Sequence, residues 1–473
     1  MNEELKELKN KAKNNINILI SNGLFFEARK YLKEYKEIFK DDIEIYSIES
    51  ILLILEGKME EAKNIINDGL KKSCINFDLI YNLGYLYEVN NEIEAAKIIY
   101  NIARIANENN DYKEIVNSKL NEIGYNRKKY DVILLGNYDR CMQFNELFDE
   151  WNVLKIINLE ILYNNEYILN LENYKYDFIF VVEDIDKNKI LKSIKKYNKK
   201  NIYFFEDYKL SVIEGLDYKI LDMLRRNKIN GIITGLSYAE VGIKEDINDN
   251  FINFSFSSQD LYYDFKLIKY LFNFKQVKDN LKYVIINMGY YSFDYDMTKT
   301  SASNRIHRYI NYFKDYHNND NIIELDIIKS FYEKRITFEK YINMNKIKER
   351  TILTLNDTSG IYEAQKNSSM NYMETRIENE KILEQYIVFL KENNITPIIA
   401  ICPTSKYYRE NFDINRKNIF YSILDKLKDK YSFQVIDYFD SDLFEDDDFW
   451  DYSHLNGKGS VKFTEVLKKE IIW

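Results

Sequence analysis

Small residues recur at Ala28, Ala62 and Ala96, at intervals of 34 residues, and the positions around them repeat too. Four residues on stand Leu32, Ile66 and Tyr100, and three further stand Tyr35, Gly69 and Ala103. A fixed period of this length marks a supersecondary unit that cannot bury its apolar face alone and stacks on its own copies. It commits residues 1–125 to pairs of antiparallel helices, brought close together by the small residues. An ordinary bundle with chance spacing would have to produce three copies in register. The charged, irregular stretch from Asn110 to Asn126 reads as a capping helix and linker.

The last copy is the fullest: Ile80, Leu83-Gly84 and Tyr87, then Ala96, Tyr100 and Ala103. It resembles the tetratricopeptide repeat. That resemblance implies a concave surface for a protein partner, a peptide or a second copy of the chain.

A chain of 473 residues exceeds one ordinary core, so further domains are expected. The net charge of −9, with both signs interspersed, argues against a nucleic-acid binder, which gains affinity from a basic surface. The three cysteines, Cys74, Cys141 and Cys402, lie far apart and offer no zinc spacing, which fits a reducing compartment. Neither a secretion signal nor an apolar run of membrane-spanning length is visible, so the expected location is cytoplasmic.

Residues 126–226 alternate short apolar runs with helical stretches, as in a small Rossmann-like α/β unit with a parallel sheet. Strands are expected at Tyr130–Leu135, from Val153 to Leu159, at Tyr176–Val182 and from Asn201 to Phe205, with a helix from Lys187 to Lys196. The first strand ends in Gly136-Asn137-Tyr138-Asp139. One glycine is not a phosphate-binding fingerprint, and the plainer reading of this unit is structural.

Residues 227–473 form a second α/β unit. The strand Ile229–Thr234 leads through Gly235-Leu236-Ser237 into a helix, which puts Ser237 at the C-terminal edge of a parallel sheet, where open α/β folds build their sites. Serine is also a common helix cap, and that is the alternative for Ser237 alone. Further strands are expected at Phe251–Phe256, Tyr283–Met288, Pro397–Cys402 and Phe433–Asp437. A polar insertion from about Asp294 to Glu374 carries His307 and His317, read as solvated residues with no third ligand for a metal. Asp451-Tyr452-Ser453-His454 follows the acidic loop Phe444–Asp451, whose run Glu445–Asp448 reads as solvent-facing.

Four blocks in this order resemble the SGNH (GDSL-type) hydrolases. These are Gly235-Leu236-Ser237, the Ser258 turn, Gly289-Tyr290-Tyr291-Ser292 and Asp451-x-x-His454 with Leu455-Asn456. The last resembles the D-x-x-H-L-N segment of bacterial members associated with surface-glycan and teichoic-acid acylation. The resemblance implies a flavodoxin-type α/β/α domain in which Ser237 is the nucleophile, His454 the base and Asp451 its orienting carboxylate. Leu236 stands where the family often has Asp, Ser258 where it has a Gly backbone donor, and Tyr291 in its Asn slot. Ser258, Tyr291 and the nearby Asn287 are therefore the candidate oxyanion donors. Lys406 and Tyr238 are candidate substrate contacts, although a solvated Lys406 is the plainer reading.

The expected architecture is thus helical repeats followed by two α/β units. The function the resemblance implies is a serine esterase or O-acyltransferase acting on an acylated carbohydrate, with no cofactor or metal. Two rivals remain: a non-catalytic repeat scaffold with a degenerate hydrolase domain, and a sugar-nucleotide-binding accessory protein that works through its middle unit.

Overall fold

The computed structural model describes the chain apart from residues 1–2, 74–75, 107–109, 126–128, 148–150, 159–173, 183–189, 191–201, 205–214, 310–311, 314–315 and 319–356. Its N-terminal part is helical: α1 (Glu3–Ser21), α2 (Phe25–Ile38), α3 (Glu44–Leu55), α4 (Met59–Lys72), α5 (Phe77–Val89), α6 (Ile93–Ala106) and α7 (Asn110–Glu122). The helices pack as consecutive pairs, α1 on α2, α3 on α4 and α5 on α6. Ala28, Ala62 and Ala96 lie at the same place in the second helix of each pair, fully buried. Close approach explains the small residues. A Cβ on Gly84 would lie 2.7 Å from the Tyr100 ring of the facing helix.

A second period of 34 marks the turns inside the pairs. Gly23, Gly57 and Asn91 adopt φ of 74°, 77° and 61°. The residue after each donates its N–H back into the preceding helix, to Leu19, Leu53 and Tyr87 respectively. This left-handed helix termination favours glycine, with asparagine the next choice.

The middle unit comprises β1 (Tyr130–Leu135), α8 (Tyr138–Leu147), β2 (Trp151–Ile157), β3 (Phe178–Val181) and β4 (Ile202–Phe204). The strands form a parallel sheet in the order β2-β1-β3-β4. Its core is separate, built on Ile133, Leu135, Ile179 and Val181. Of the helix expected over Lys187–Lys196, only Ile190 lies within the described residues.

The C-terminal unit follows: α9 (Leu216–Arg225), β5 (Gly231–Gly235), α10 (Ser237–Gly242), β6 (Phe251–Asn253), α11 (Leu261–Leu271) and β7 (Tyr283–Asn287). Then come α12 (Asp357–Ser368), α13 (Met373–Glu392), β8 (Thr396–Ile401), α14 (Ile414–Lys428), β9 (Gln434–Asp437) and α15 (Gly457–Glu470). The five parallel strands run in the order β6-β5-β7-β8-β9. The chain steps from β5 to β6 on one side and then to β7 on the other, so a crevice opens beyond the C-terminal end of β5. Register places Gly235 beside Asn287 and Asn287 beside Ala400, which sets three strand ends at one level.

Three expectations change here. Helix α9, assigned from sequence to the middle unit, packs on α6 and β6. Its Leu216, Ile220 and Leu224 belong to one core shared by α3–α7 and the C-terminal unit, while α1 and α2 belong to a smaller cluster. The insertion after Asp294 begins buried rather than polar, since Tyr295, Met297, Ile306 and Tyr309 enter the same core. The acidic run is not simply solvent-facing either. Asp448 is fully buried, pairs with Lys462 at 2.8 Å, and accepts at its backbone carbonyl from Asn456 N–H.

Candidate functional site

Two tight chain reversals set up the site. Gly235 has φ of 125°, and a Cβ there would lie 2.3 Å from the Asn287 carbonyl oxygen, so no other residue fits between β5 and β7. The turn delivers Ser237 to the start of α10, but not as a cap. No side chain caps this helix, and Ser237 Oγ is instead 2.8 Å from His454 Nε2.

His454 stands on a loop clamped at several points. Phe449 and Leu455 form an antiparallel bridge, and Trp450 N–H donates to the His454 carbonyl at 2.9 Å. Asn456 caps α15 while its amide donates to the Asp447 and Phe449 carbonyls, which ties the acidic turn to the histidine loop. Asp451 accepts from the backbone N–H groups of Ser453 and His454, and its Oδ2 lies 2.9 Å from His454 Nδ1. Burial pushes the Asp451 carboxyl up, but hydrogen bonding and the charge of His454, with the two backbone N–H groups, hold it below its ordinary value. Asp451 therefore stays ionised and keeps Nδ1 protonated, which leaves Nε2 to accept a proton from Ser237. The sequence-predicted Ser237, His454 and Asp451 converge into one hydrogen-bonded line.

Two of the three candidate oxyanion donors are engaged with other groups. Asn287 is 1% exposed, and its amide donates to the Ala400 carbonyl at 3.0 Å and to Cys402 Sγ at 3.4 Å. The Tyr291 hydroxyl donates to that of Tyr238 at 3.2 Å. Both expectations are corrected for one reason: each donor is already engaged inside the protein. Ser258 adopts φ of 60°, the left-handed geometry that a glycine would take without strain, and its carbonyl accepts from Tyr295 Oη at 3.1 Å.

The candidate substrate contacts move as well. Tyr238 is 8% exposed and its ring packs 5.1 Å from that of His454, so it forms the wall behind the imidazole. Lys406 pairs with Asp446 at 3.3 Å and lies over the Tyr407 ring. In the middle unit, a Cβ on Gly136 would meet Val182 at 2.1 Å, so the glycine there serves strand packing. The side chain of Asn137 accepts from Asp139 N–H at the start of α8, where a phosphate would otherwise bind.

Of the insertion histidines, the His307 side chain lies outside those described, whereas His317 is only 9% exposed and stacks on Tyr262 at 4.1 Å. Reading His317 as solvated is therefore corrected, because an aromatic face and two carboxylates cover it. Cys402, whose thiol burial pushes well up, and Cys141 are buried thiols outside any disulfide. Among the described residues, no helix is long and apolar enough to cross a membrane.

No family model matches the chain. A search of curated proteins finds similarity to the "Pentatricopeptide repeat-containing protein 1, apicoplast" of Plasmodium falciparum (isolate 3D7), 26% identical over 254 residues. The match takes in 50% of this chain, which spans only 38% of the relative's length. Among solved structures, "Structure of Naa15/Naa10 bound to HypK-THB" aligns at 9% identity over 90% of this chain and 52% of that one, with a TM-score of 0.22.

These findings correct the function expected from sequence. The curated similarity is to a repeat protein, and none points to an esterase or O-acyltransferase acting on an acylated carbohydrate. The engaged amide of Asn287 and hydroxyl of Tyr291 are the physical counterpart. A lost oxyanion donor removes about 3–4 kcal/mol of transition-state stabilisation.

Proposed function

We propose that the protein is a helical-repeat scaffold that binds a protein partner, or a second copy of itself, through its N-terminal helices. The observation that carries this reading is the asymmetry of the repeat stack. The α3–α7 end is joined to the C-terminal unit by a common core, while α1 and α2 stand at the far end. There α2 exposes Phe26, Tyr31 and Ile38, at 80%, 54% and 71%, and α1 exposes Leu8 at 57%. Large apolar side chains exposed to this degree at the end of a repeat stack fit a surface that a partner covers. The resemblance to tetratricopeptide repeats and the similarity to a pentatricopeptide-repeat protein lean the same way.

The test pairs the wild type with Phe26→Glu/Ile38→Lys. Sedimentation velocity reads self-association, and cross-linking in cells reads other partners. The double variant is expected to stay folded by circular dichroism and to lose the specific complex. Wild type and variant that assemble and cross-link alike overturn the reading.

A second reading concerns chemistry alone and rests on the contact from Ser237 Oγ to His454 Nε2 to Asp451. We infer an activated serine of the serine hydrolase and acyltransferase type, with the SGNH resemblance and the strand order in support and no substrate class assigned. A fluorophosphonate probe is expected to label Ser237 in the wild type at least a hundredfold faster than in His454→Ala. Equal rates refute the activated serine and leave the scaffold reading intact.

A further inference from the structure

Behind the Ser258 turn, three buried side chains from separate parts of the chain come together. Asp260 is 4% exposed, and the side chains of Asp296 and His317 are 2% and 9% exposed. One ligand-capable atom from each lies within 4.8 Å of the other two. Asp260 caps α11, with Oδ1 accepting from Tyr263 N–H at 3.0 Å and Oδ2 from Met297 N–H at 2.9 Å. Asp296 Oδ1 accepts from Thr298 N–H at 2.9 Å, and Oδ2 from Asn318 Nδ2 at 2.8 Å and Lys299 Nζ at 3.3 Å. Thr298 Oγ1 also donates to Asp296 Oδ1, so these bonds fix both carboxylates, leave each Asp260 oxygen a lone pair, and require a cation to displace the half-exposed Lys299 ammonium from Asp296 Oδ2.

His317 supplies the observation that points to a ligand. Its Nε2 lies 2.9 Å from Glu378 Oε1, an acceptor, which places the ring proton on Nε2. Asn318 Nδ2 also lies 3.2 Å from Nε2, but has the nearer acceptor in Asp296 Oδ2 at 2.8 Å. With the ring neutral, Nδ1 is a bare lone pair. It is buried with no hydrogen-bond partner, and it faces Asp296 Oδ2 at 3.8 Å. A neutral imidazole nitrogen facing a carboxylate with nothing between them is unfavourable unless a cation joins them. A carboxylate behind the far ring nitrogen is the usual support of a metal-bound histidine.

We propose that Asp260, Asp296 and His317 bind a divalent first-row transition ion, of which Zn²⁺ and Mn²⁺ are representatives. One nitrogen and two carboxylates suit such an ion better than Ca²⁺ or Mg²⁺, which take oxygen ligands. Donors to an ion at about 2.0–2.2 Å stand about 3 Å apart, so the side chains draw together on binding and water completes the shell. The ion would join the start of α11, the turn after β7 and the His317 segment. Asp260 lies two residues beyond Ser258, and Tyr295, beside Asp296, already bonds the Ser258 carbonyl. The role is therefore structural, bracing the Ser258 turn.

The test strips the full chain with EDTA, then titrates it with Zn²⁺ by calorimetry and with Mn²⁺ by electron paramagnetic resonance. Wild type is expected to bind one equivalent, more tightly than Ca²⁺. His317→Gln should weaken binding at least tenfold. Glu378→Gln, which leaves all three ligands in place, should weaken it about tenfold. Asp447→Asn, in the acidic turn, should bind as wild type does. Wild type that takes up no ion at 100-fold excess over protein overturns the proposal. So does wild-type affinity in both His317→Gln and Glu378→Gln, which would make the cluster an imidazolium–carboxylate pair with the metal bound elsewhere.

Discussion

Asn287 and Ala400 face each other across β7 and β8, and the Asn287 amide donates to the Ala400 carbonyl at 3.0 Å. This bond closes the sheet edge beside Ser237 instead of offering a donor to it. Asn287→Ala should lower stability by about 1–2 kcal/mol, the effect of one buried hydrogen bond with some lost packing. Fluorophosphonate labelling of Ser237 should change by less than twofold. A hundredfold loss of labelling in the folded variant would return Asn287 to the reacting centre.

Asp294 holds together the turn that follows β7. It is 2% exposed and lies 2.6 Å from Arg376 Nη2, 2.6 Å from Arg416 Nη1 and 2.8 Å from Tyr372 N. Removing the carboxylate strands two buried guanidinium groups. Asp294→Ala should cost about 3–5 kcal/mol, read as a fall in the urea midpoint of the C-terminal unit. A loss below 1 kcal/mol would mean that solvent reaches the arginines.

Lys63 lies where the repeats meet the C-terminal unit, with Nζ 3.0 Å from the Arg226 carbonyl and 3.1 Å from Tyr87 Oη. Burial pushes its amine down to about 8. Between that value and the ordinary lysine range, the unfolded chain holds a proton that the folded chain has released. Stability from this group therefore rises with pH through that window. The charged form costs about 3 kcal/mol at neutral pH. Lys63→Met should be less sensitive to pH, so that the wild type gains on it between pH 7.5 and 10. The readout is the difference in urea midpoints, which cancels the titration of every other group.

Ser258 is a side chain in a glycine's conformation. Ser258→Gly should stabilise the folded chain by about 1 kcal/mol by relieving the left-handed strain, and Ser258→Val should destabilise it. Thermal melts of the two variants in opposite directions check the prediction. A destabilised glycine variant would show that the Ser258 hydroxyl makes a contact outweighing the strain.

Local features of the sequence were the readable ones. The spacing of Ala28, Ala62 and Ala96 survives because each small residue answers to a neighbour one turn of chain away. Gly23, Gly57 and Asn91 carry the same spacing and could have been read with it, had asparagine been counted as a left-handed terminator beside glycine. Ser237 and His454 were legible because the Gly235 turn and the Asp451 loop are each built locally. The engagement of Asn287 was not, since the side it faces depends on a partner 113 residues further on. The burial of His317 was not legible because Glu378, which orients it, lies 61 residues away on α13. Nor did the repeats announce that one of their ends is covered, because the Lys63–Arg226 contact spans 163 residues.

That covered end has a consequence in time. Synthesis releases α4–α6 before α9 and Gln276, the elements that complete their core, have been made. The Tyr87 hydroxyl, which donates to Leu224 in the finished protein, has until then only the Lys63 amine of α4 as a partner within the repeats. The repeats thus stay half-covered until more than a hundred further residues have been added, and their inner face is closed by chain made after them.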